Sequence, residues 1–285
     1  MSFINNIKKD NNIILHKIGN PAPEVLISSS KTTKVAFLDT ETTGLNPHDD
    51  IIIELAIKIV EIENDSGKIV SIGQDYTSFN DPKVPIKKEI SLLTGISDDM
   101  VAGKNIEWRE VDLLIENSEL IVAHNASFDR SFIDKNSTKS SHKIWACSVN
   151  DIDWLKRGFT STKQELLCYW HGFYFDAHRA MDDVNALIHL LTHNYQDNFR
   201  PIVELVKNSG VPIYMIRATN FSYNEIKKNR VKNQGYKWNV NDKIWCKIVN
   251  YETLEQEKEL LADIIYENSF DGEVIEIELF NKYKN

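Results

Sequence analysis

VAFLDTETTGLNP, Val35 to Pro47, sets an apolar run against two acids separated by a single threonine, Asp39-Thr40-Glu41. In a strand successive side chains alternate faces, so positions i and i+2 share a face and these two carboxylates converge on one spot. Two like charges that close require a cation or a proton. The segment therefore predicts a strand whose carboxyl end carries a charged site.

At 285 residues and 42% hydrophobic, the chain can bury a real core, enough for one large domain or one with a small partner. The formal net charge of −9 excludes a surface that is basic all over. A polyanion would have to bind at a local basic patch or through a metal. Cys147, Cys168 and Cys246 form no C-x-x-C and cannot all pair within one chain, which suits reduced thiols and a cytoplasmic setting. The start MSFINNIKKD lacks the apolar segment of a signal peptide, and the most apolar window, IIIELAIKIVEI, is interrupted by Glu54 and Lys58. No membrane span is expected.

An N-terminal extension over residues 1–33 carries NPAP and SSS as loop signals, and Lys34 to Asp39 reads as the first strand. Ile51 to Glu61 and Lys68 to Phe79 read as two more, joined through the hairpin-turn residues of ENDSGK. Helical patterns follow at Lys87 to Thr94 and Glu107 to Asn117, then a strand at Glu119 to Ala123 and a helix from Ser127. A strand at Lys143 to Cys147 and helices at Thr162 to His171 and Arg179 to Asn194 complete the region. An antiparallel start followed by alternating helices and strands describes an α/β domain, a mixed sheet with helices on its faces.

Two further constellations carry acids. In IVAHNASFDRSF a strand runs through His124 and Asn125 into a helix bearing Asp129, close to the carboxyl end of the strand, where α/β sheets bind ligands. In DAHRAMDDVNALIHLL an amphipathic helix aligns Ala180, Val184, Leu187 and Leu191 and begins with acids. His178 and Asp183 are five apart, about 140° around a helix. His178 is therefore placed on the loop before the helix, leaning over a site that Asp183 reaches from within it. Four carboxylates with one histidine form an oxygen-rich donor set suited to Mg²⁺ or Mn²⁺ rather than zinc.

FLDTETTG at Phe37 to Gly44, HNASFD at His124 to Asp129 and HRAMDD at His178 to Asp183, in this order, resemble the three motifs of the DEDDh, or DnaQ-like, family of 3'-to-5' exonucleases. LLTGISDDMV, Leu92 to Val101, is similar to an element of its polymerase-associated branch. The likeness covers Lys34 to Asn194. It implies a ribonuclease-H-like mixed five-stranded sheet with flanking helices over 34–197, which agrees with the pattern of elements. It also implies two Mg²⁺ (or Mn²⁺) held by Asp39, Glu41, Asp129 and Asp183, with Asp39 bridging them and Glu41 positioning the attacking water. His178 would be the general base. Thr42, Thr43, Gly44, Leu45 and Asn125 would bind the terminal nucleotide; the site residues leave DNA and RNA both open, with an RNA-directed exoribonuclease as the alternative, and the Leu92–Val101 likeness favours the 3' end of DNA. Association with a polymerase has no support in the sequence, which shows no convincing polymerase- or clamp-binding tail.

Each residue taken singly has a plainer reading. Asp39 and Glu41 could be solvated acids at a strand end, and Asp129 could serve a helix N-terminal turn. Asp182 competes with Asp183 as the (i, i+4) partner of His178. His124 could be an ordinary half-buried histidine and is assigned no role, and His171, His189 and His193 have no convergent partners in the sequence. A degenerate member that only binds nucleic acid should lack a metal carboxylate or the histidine, and all five are present.

Residues 198–209 read as a connection with a short helix, and 210–285 as a small α+β module. Gly210 to Asn250 carries Arg217, Lys227, Lys228, Arg230, Lys232, Lys237, Lys243 and Lys247 against Glu225 and Asp242, with Tyr223, Tyr236, Trp238 and Trp245 interleaved. Basic and aromatic residues together are the composition of a single-strand binding surface. The alternative is that the tryptophans form the module's own core. VPIYMIRAT predicts a strand, and Ser222 with Glu225 a capping box opening a helix that ends at Gly235. YKWNVNDKIWCKI predicts a hairpin, and an acidic helix is expected from Thr253.

Overall fold

The computed structural model describes residues 8–9, 12–24, 30–194 and 199–284. The parts of the expected N-terminal extension at 1–7, 10–11 and 25–29 lie outside the described residues, as do 195–198. The chain divides into two compact units, Met1–Ser209 with Tyr283–Asn285, and Gly210–Lys282. Among the described residues no helix is long and apolar enough to cross a membrane.

In the first unit the apolar run Val35 to Leu38 is buried on both faces, which is why it forms the middle strand. That strand, β1 (Thr32–Thr42), lies antiparallel to β2 (Ile52–Glu63), and β2 lies antiparallel to β3 (Ile69–Phe79). On its other side β1 is parallel to β4 (Leu120–Ala123), which is parallel to β5 (Ile144–Cys147). The order β3-β2-β1-β4-β5 is the mixed five-stranded sheet that the pattern predicts.

Strand alternation sorts the side chains into two layers. Val35 and Phe37 pack with Val184, Leu187 and Leu191 of α6 (Ala180–Thr192), together with Leu167 of α5 (Gln164–Trp170). Ala36 and Leu38 pack on the opposite face with Val111 and Ile115 of α3 (Trp108–Glu116) and Phe132 of α4 (Ala126–Ile133). Ile86, Ile96 and Val101 form a smaller cluster with Ile53, under the short helices α1 (Lys88–Thr94) and α2 (Asp98–Val101). The last of these helices was not expected. Within the predicted connection, α7 (Pro201–Ser209) begins with proline at its first position, where no N–H is needed, and buries Ile202 and Leu205 in the first core.

The second unit is an antiparallel sheet in the order β7-β8-β6-β9: β6 (Ile213–Ala218), β7 (Lys237–Asn239), β8 (Ile244–Asn250) and β9 (Glu273–Ile277). Helices α8 (Glu225–Asn233) and α9 (Tyr251–Leu261) cover one face, closing on Ile216, Val231, Tyr236, Trp245 and Leu261. The expected capping box is corrected. Asn224, not Ser222, caps α8, its side chain accepting from the Lys227 N–H at 2.8 Å. Ser222 Oγ instead accepts from Lys227 Nζ at 3.2 Å. Strand β9, an edge strand in which Val274 and Ile275 separate Glu273 from Glu276, was not anticipated.

The β2–β3 turn holds Gly67 at φ +68°, a left-handed conformation that side chains disfavour. A Cβ there would come within 2.7 Å of Ile202 Cγ2 and 2.9 Å of Arg200 Cβ. Gly67→Ala should therefore cost more than about 1 kcal/mol, read as a lower urea midpoint at unchanged slope. An unchanged midpoint would contradict the packing of the turn against α7.

Candidate active site

Alternation decides which acids meet. Asp39 and Glu41 continue the Val35–Phe37 side of β1 and so face α6, whereas Thr40 faces the α4 layer. Carboxylate oxygens of Asp39, Glu41 and Asp183 lie within 4.8 Å of one another. The β1–β2 register shifts between Glu41 and Thr42, a bulge placed where the site begins. All three acids are half-buried. Burial, then the charges of Asp183, Asp129 and Glu41, push the Asp39 carboxyl well above its ordinary range. Burial and the Asp183 and Glu54 charges push Glu41 up to about 8. Asp183 is raised as well, chiefly by burial, even though it accepts backbone hydrogen bonds.

Asp129 arrives from the opposite layer. It is buried on α4 and accepts from the Thr40 N–H at 3.1 Å and the Thr40 hydroxyl at 2.8 Å. Thr40 thus ties Asp129 to the strand end from the face that Asp39 and Glu41 do not use. Asp129 is not one of the three acids whose oxygens meet within 4.8 Å, yet its charge raises the Asp39 carboxyl. Burial also raises the Asp129 carboxyl.

His178 lies on the loop before α6 with φ +67°, an uncommon conformation for a residue with a side chain. Asp183 holds that turn: its Oδ2 accepts from the His178 N–H at 2.8 Å and the Arg179 N–H at 3.2 Å. The acid that joins the cluster thereby also fixes the backbone that presents the histidine. Asp182 is exposed.

Three residues with roles here escape a reading of the sequence. Glu54 is directly opposite Glu41 across β1–β2, an unfavourable like-charge pairing on its own. Arg179 resolves it with a two-pronged grip, Nε to Glu54 Oε2 at 3.2 Å and Nη2 to Oε1 at 3.0 Å. Glu54 also accepts from the Ala180 N–H at 3.1 Å, anchoring the start of α6 to the sheet. Gln164 donates to the Asp183 carbonyl at 2.9 Å. The available signal for Glu54 was a carboxylate within a strand that is otherwise buried, a position that demands a partner.

The residues expected to bind a terminal nucleotide fall in two places. Thr42 Oγ1 donates to the Gly44 carbonyl at 2.6 Å, and Thr43 Oγ1 donates to Asp50 at 3.0 Å, shaping the turn after β1. A Cβ on Gly44 would come within 2.6 Å of the Asp50 carboxylate, and Leu45 is 84% exposed at the tip. Asn125 is exposed in the left-handed conformation at the start of α4. His124 is half-buried with Nδ1 on the Ser148 hydroxyl at 2.6 Å. His171, His189 and His193 pack with Phe173 away from the acids, and burial lowers the pKa of each.

The pH dependence follows from these shifts. A carboxyl whose folded pKa exceeds its unfolded value contributes stability at low pH that is lost as pH rises through the folded value. For Glu41 that window runs from its ordinary 4.5 to about 8. In EDTA the protein should lose thermal stability across this range, and Glu41→Gln should lose less. Melting profiles of the two proteins check this, and coincident profiles would contradict it.

The exonuclease family model RNase_T matches residues 36–191, more than half of the chain. The PolC-type DNA polymerase III of Thermotoga petrophila is 31% identical over 202 residues, covering 65% of this chain and 13% of that polymerase. The Clostridium perfringens polymerase of the same type is 28% identical over 201 residues, covering 67% and 13%. The chain thus spans a small part of the length of these curated relatives. Among solved structures, Exonuclease X in complex with 5' overhanging duplex DNA is 24% identical at a TM-score of 0.45, over 61% of this chain and 99% of that one. E. coli Exonuclease I in complex with a dT13 oligonucleotide is 16% identical at 0.46, over 65% and 48%. The matched span contains every acid of the cluster and the histidine beside it, and with it the chain belongs to the RNase_T exonuclease family.

Proposed function

We propose that this chain is a 3'-to-5' exonuclease that releases nucleoside 5'-monophosphates from the 3' end of DNA, using Mg²⁺ or Mn²⁺ at the acidic cluster. The observation that carries the reading is the meeting of Asp39, Glu41 and Asp183 oxygens within 4.8 Å. Among the described residues no Lys or Arg forms an ion pair with Asp39, Asp129 or Asp183.

The donor set suits a hard divalent cation. All donors are carboxylate oxygens, and burial and mutual repulsion raise their pKa values, so bound positive charge would relieve both strains. Asp39, Glu41 and Asp183 would hold the ions, with Asp129 contributing from the Thr40 side. Divalent cations at such a site supply Lewis-acid stabilisation of the charge that builds at phosphorus. The remaining work belongs to the chain. His178 takes a proton from the attacking water, and the Asp183 carboxylate keeps its loop in place. Thr42, Thr43, Gly44, Leu45 and Asn125 line the approach of the terminal nucleotide. A preference for DNA is supported by the DNA polymerase III relatives and by the Leu92–Val101 element.

Digestion of single-stranded DNA labelled at its 5' end should give a ladder shortening from the 3' side and should stop in EDTA. Immediate release of the label as a mononucleotide would overturn the direction. Asp39→Ala should abolish activity without loss of fold. His178→Ala should lower kcat by roughly 10²–10⁴-fold, the usual worth of general acid-base catalysis, while Mn²⁺ still raises its melting temperature. A His178→Ala protein that no longer responds to Mn²⁺ would make the histidine a ligand instead of the base.

A further inference from the structure

The basic and aromatic residues of the second unit separate, in the structure, into two groups. Arg217 pairs with Glu273 and Asp242, Lys227 with Glu267, and Lys247 with Glu257. Tyr236 and Trp245 are buried in the unit's core. These residues hold the module together, and of the two tryptophans offered as its core only Trp245 is buried.

What remains is continuous. Residues 228–243, KNRVKNQGYKWNVNDK, hold five cations and one acid, Asp242, and Arg217 reaches that acid at 3.7 Å. The stretch runs down the second half of α8, turns at Gly235, forms the edge strand β7 and ends in the β7–β8 hairpin turn. Lys232, Lys237 and Lys243 are exposed and, among the described residues, form no ion pair. Between them Trp238 is 44% exposed on the sheet edge, its ring held edge-on to buried Trp245 with centroids 5.5 Å apart. A large aromatic ring held half in solvent by a buried partner, beside lysines without acidic partners among the described residues, offers a stacking face next to free cations.

We infer that this sheet edge, with Trp238 on one face of β7, Lys237 on the other, and Lys232 and Lys243 on the segments before and after the strand, is a binding surface for single-stranded nucleic acid. Charge complementarity selects the occupant: on a chain of net charge −9, this strip offers cations for phosphates and a ring for a base. The inference rests on the chain's action on nucleic acid, but it uses none of the residues of the acidic cluster.

The test uses the full chain with Asp39→Ala to prevent digestion, and a fluorescent single-stranded DNA of about 20 nucleotides, longer than one binding site of this kind. Anisotropy across a salt series should show Trp238→Ala weakening binding by about 5- to 150-fold, the worth of one stacked base, with Trp238→Phe restoring most of it. The triple change Lys232→Gln, Lys237→Gln, Lys243→Gln should reduce the slope of log affinity against log salt by about 2, at about 0.7 per phosphate. These lysines are exposed, so the triple variant should keep the parent melting temperature. Without Asp39→Ala, the same variants should hydrolyse a dinucleotide at the parent rate. A parent that cleaves nothing would therefore indict the active-site reading and not this one. Three outcomes overturn the inference: no binding by the parent, an unchanged affinity and salt slope in both variants, or binding that falls with the lysines yet ignores Trp238→Ala, which would mark a plain cationic face.

Discussion

Repulsion among carboxylates at the end of the central strand is the constraint to which the first unit is built. Asp39 and Glu41 share a face because strands alternate, and α6 brings Asp183 to the same spot. In water such charges would be screened and would drift apart. Here the sheet and helix hold them, and burial removes the solvent that would stabilise them as anions, so their pKa values rise. Carboxylates concentrated in this way could hold a metal ion, and bound positive charge would offset their repulsion.

The surrounding structure keeps that arrangement rigid. Apolar burial of Val35, Phe37, Val184 and Leu187 fixes α6 on the sheet, and the Glu54–Arg179 pair with the Ala180 N–H locks its first turn. Asp183 then ties down the His178 backbone, while Thr40 tethers Asp129 from the other layer. Asp183, the His178 backbone, Asp129 and the strand end are thus tied into one arrangement by hydrogen bonds.

Much of this was legible in the sequence. The order of strands and helices followed from apolar periodicity and turn residues, and the i, i+2 spacing of Asp39 and Glu41 put them on one face. The amphipathic stripe of α6 put Asp183 near its start and left His178 outside the helix. Glu54 was legible only as a break in an apolar window, because its partner lies 125 residues away and no local pattern links them. The tether from Thr40 to Asp129 was hidden for the opposite reason: the alternation that groups Asp39 with Glu41 sets Thr40 aside. In the second unit composition marked a basic, aromatic region, but only packing could tell which ring is core, Trp245, and which is exposed, Trp238. The α8 cap falls two residues beyond Ser222 because Ser222 and Asn224 are both good caps, and Ser222 is engaged by the Lys227 ammonium while Asn224 accepts from the Lys227 N–H.

The central claim is that burial and mutual repulsion hold the cluster's carboxyl pKa values above their ordinary range and that a bound cation brings them down. Calorimetric titration of Mn²⁺ into the metal-free protein near pH 7, in buffers of different ionisation enthalpy, measures the protons released on binding. The account predicts net proton release at that pH, shrinking as pH rises past about 8, where Glu41 is already ionised. Binding heats that are the same in every buffer would mean no proton leaves, and would contradict it.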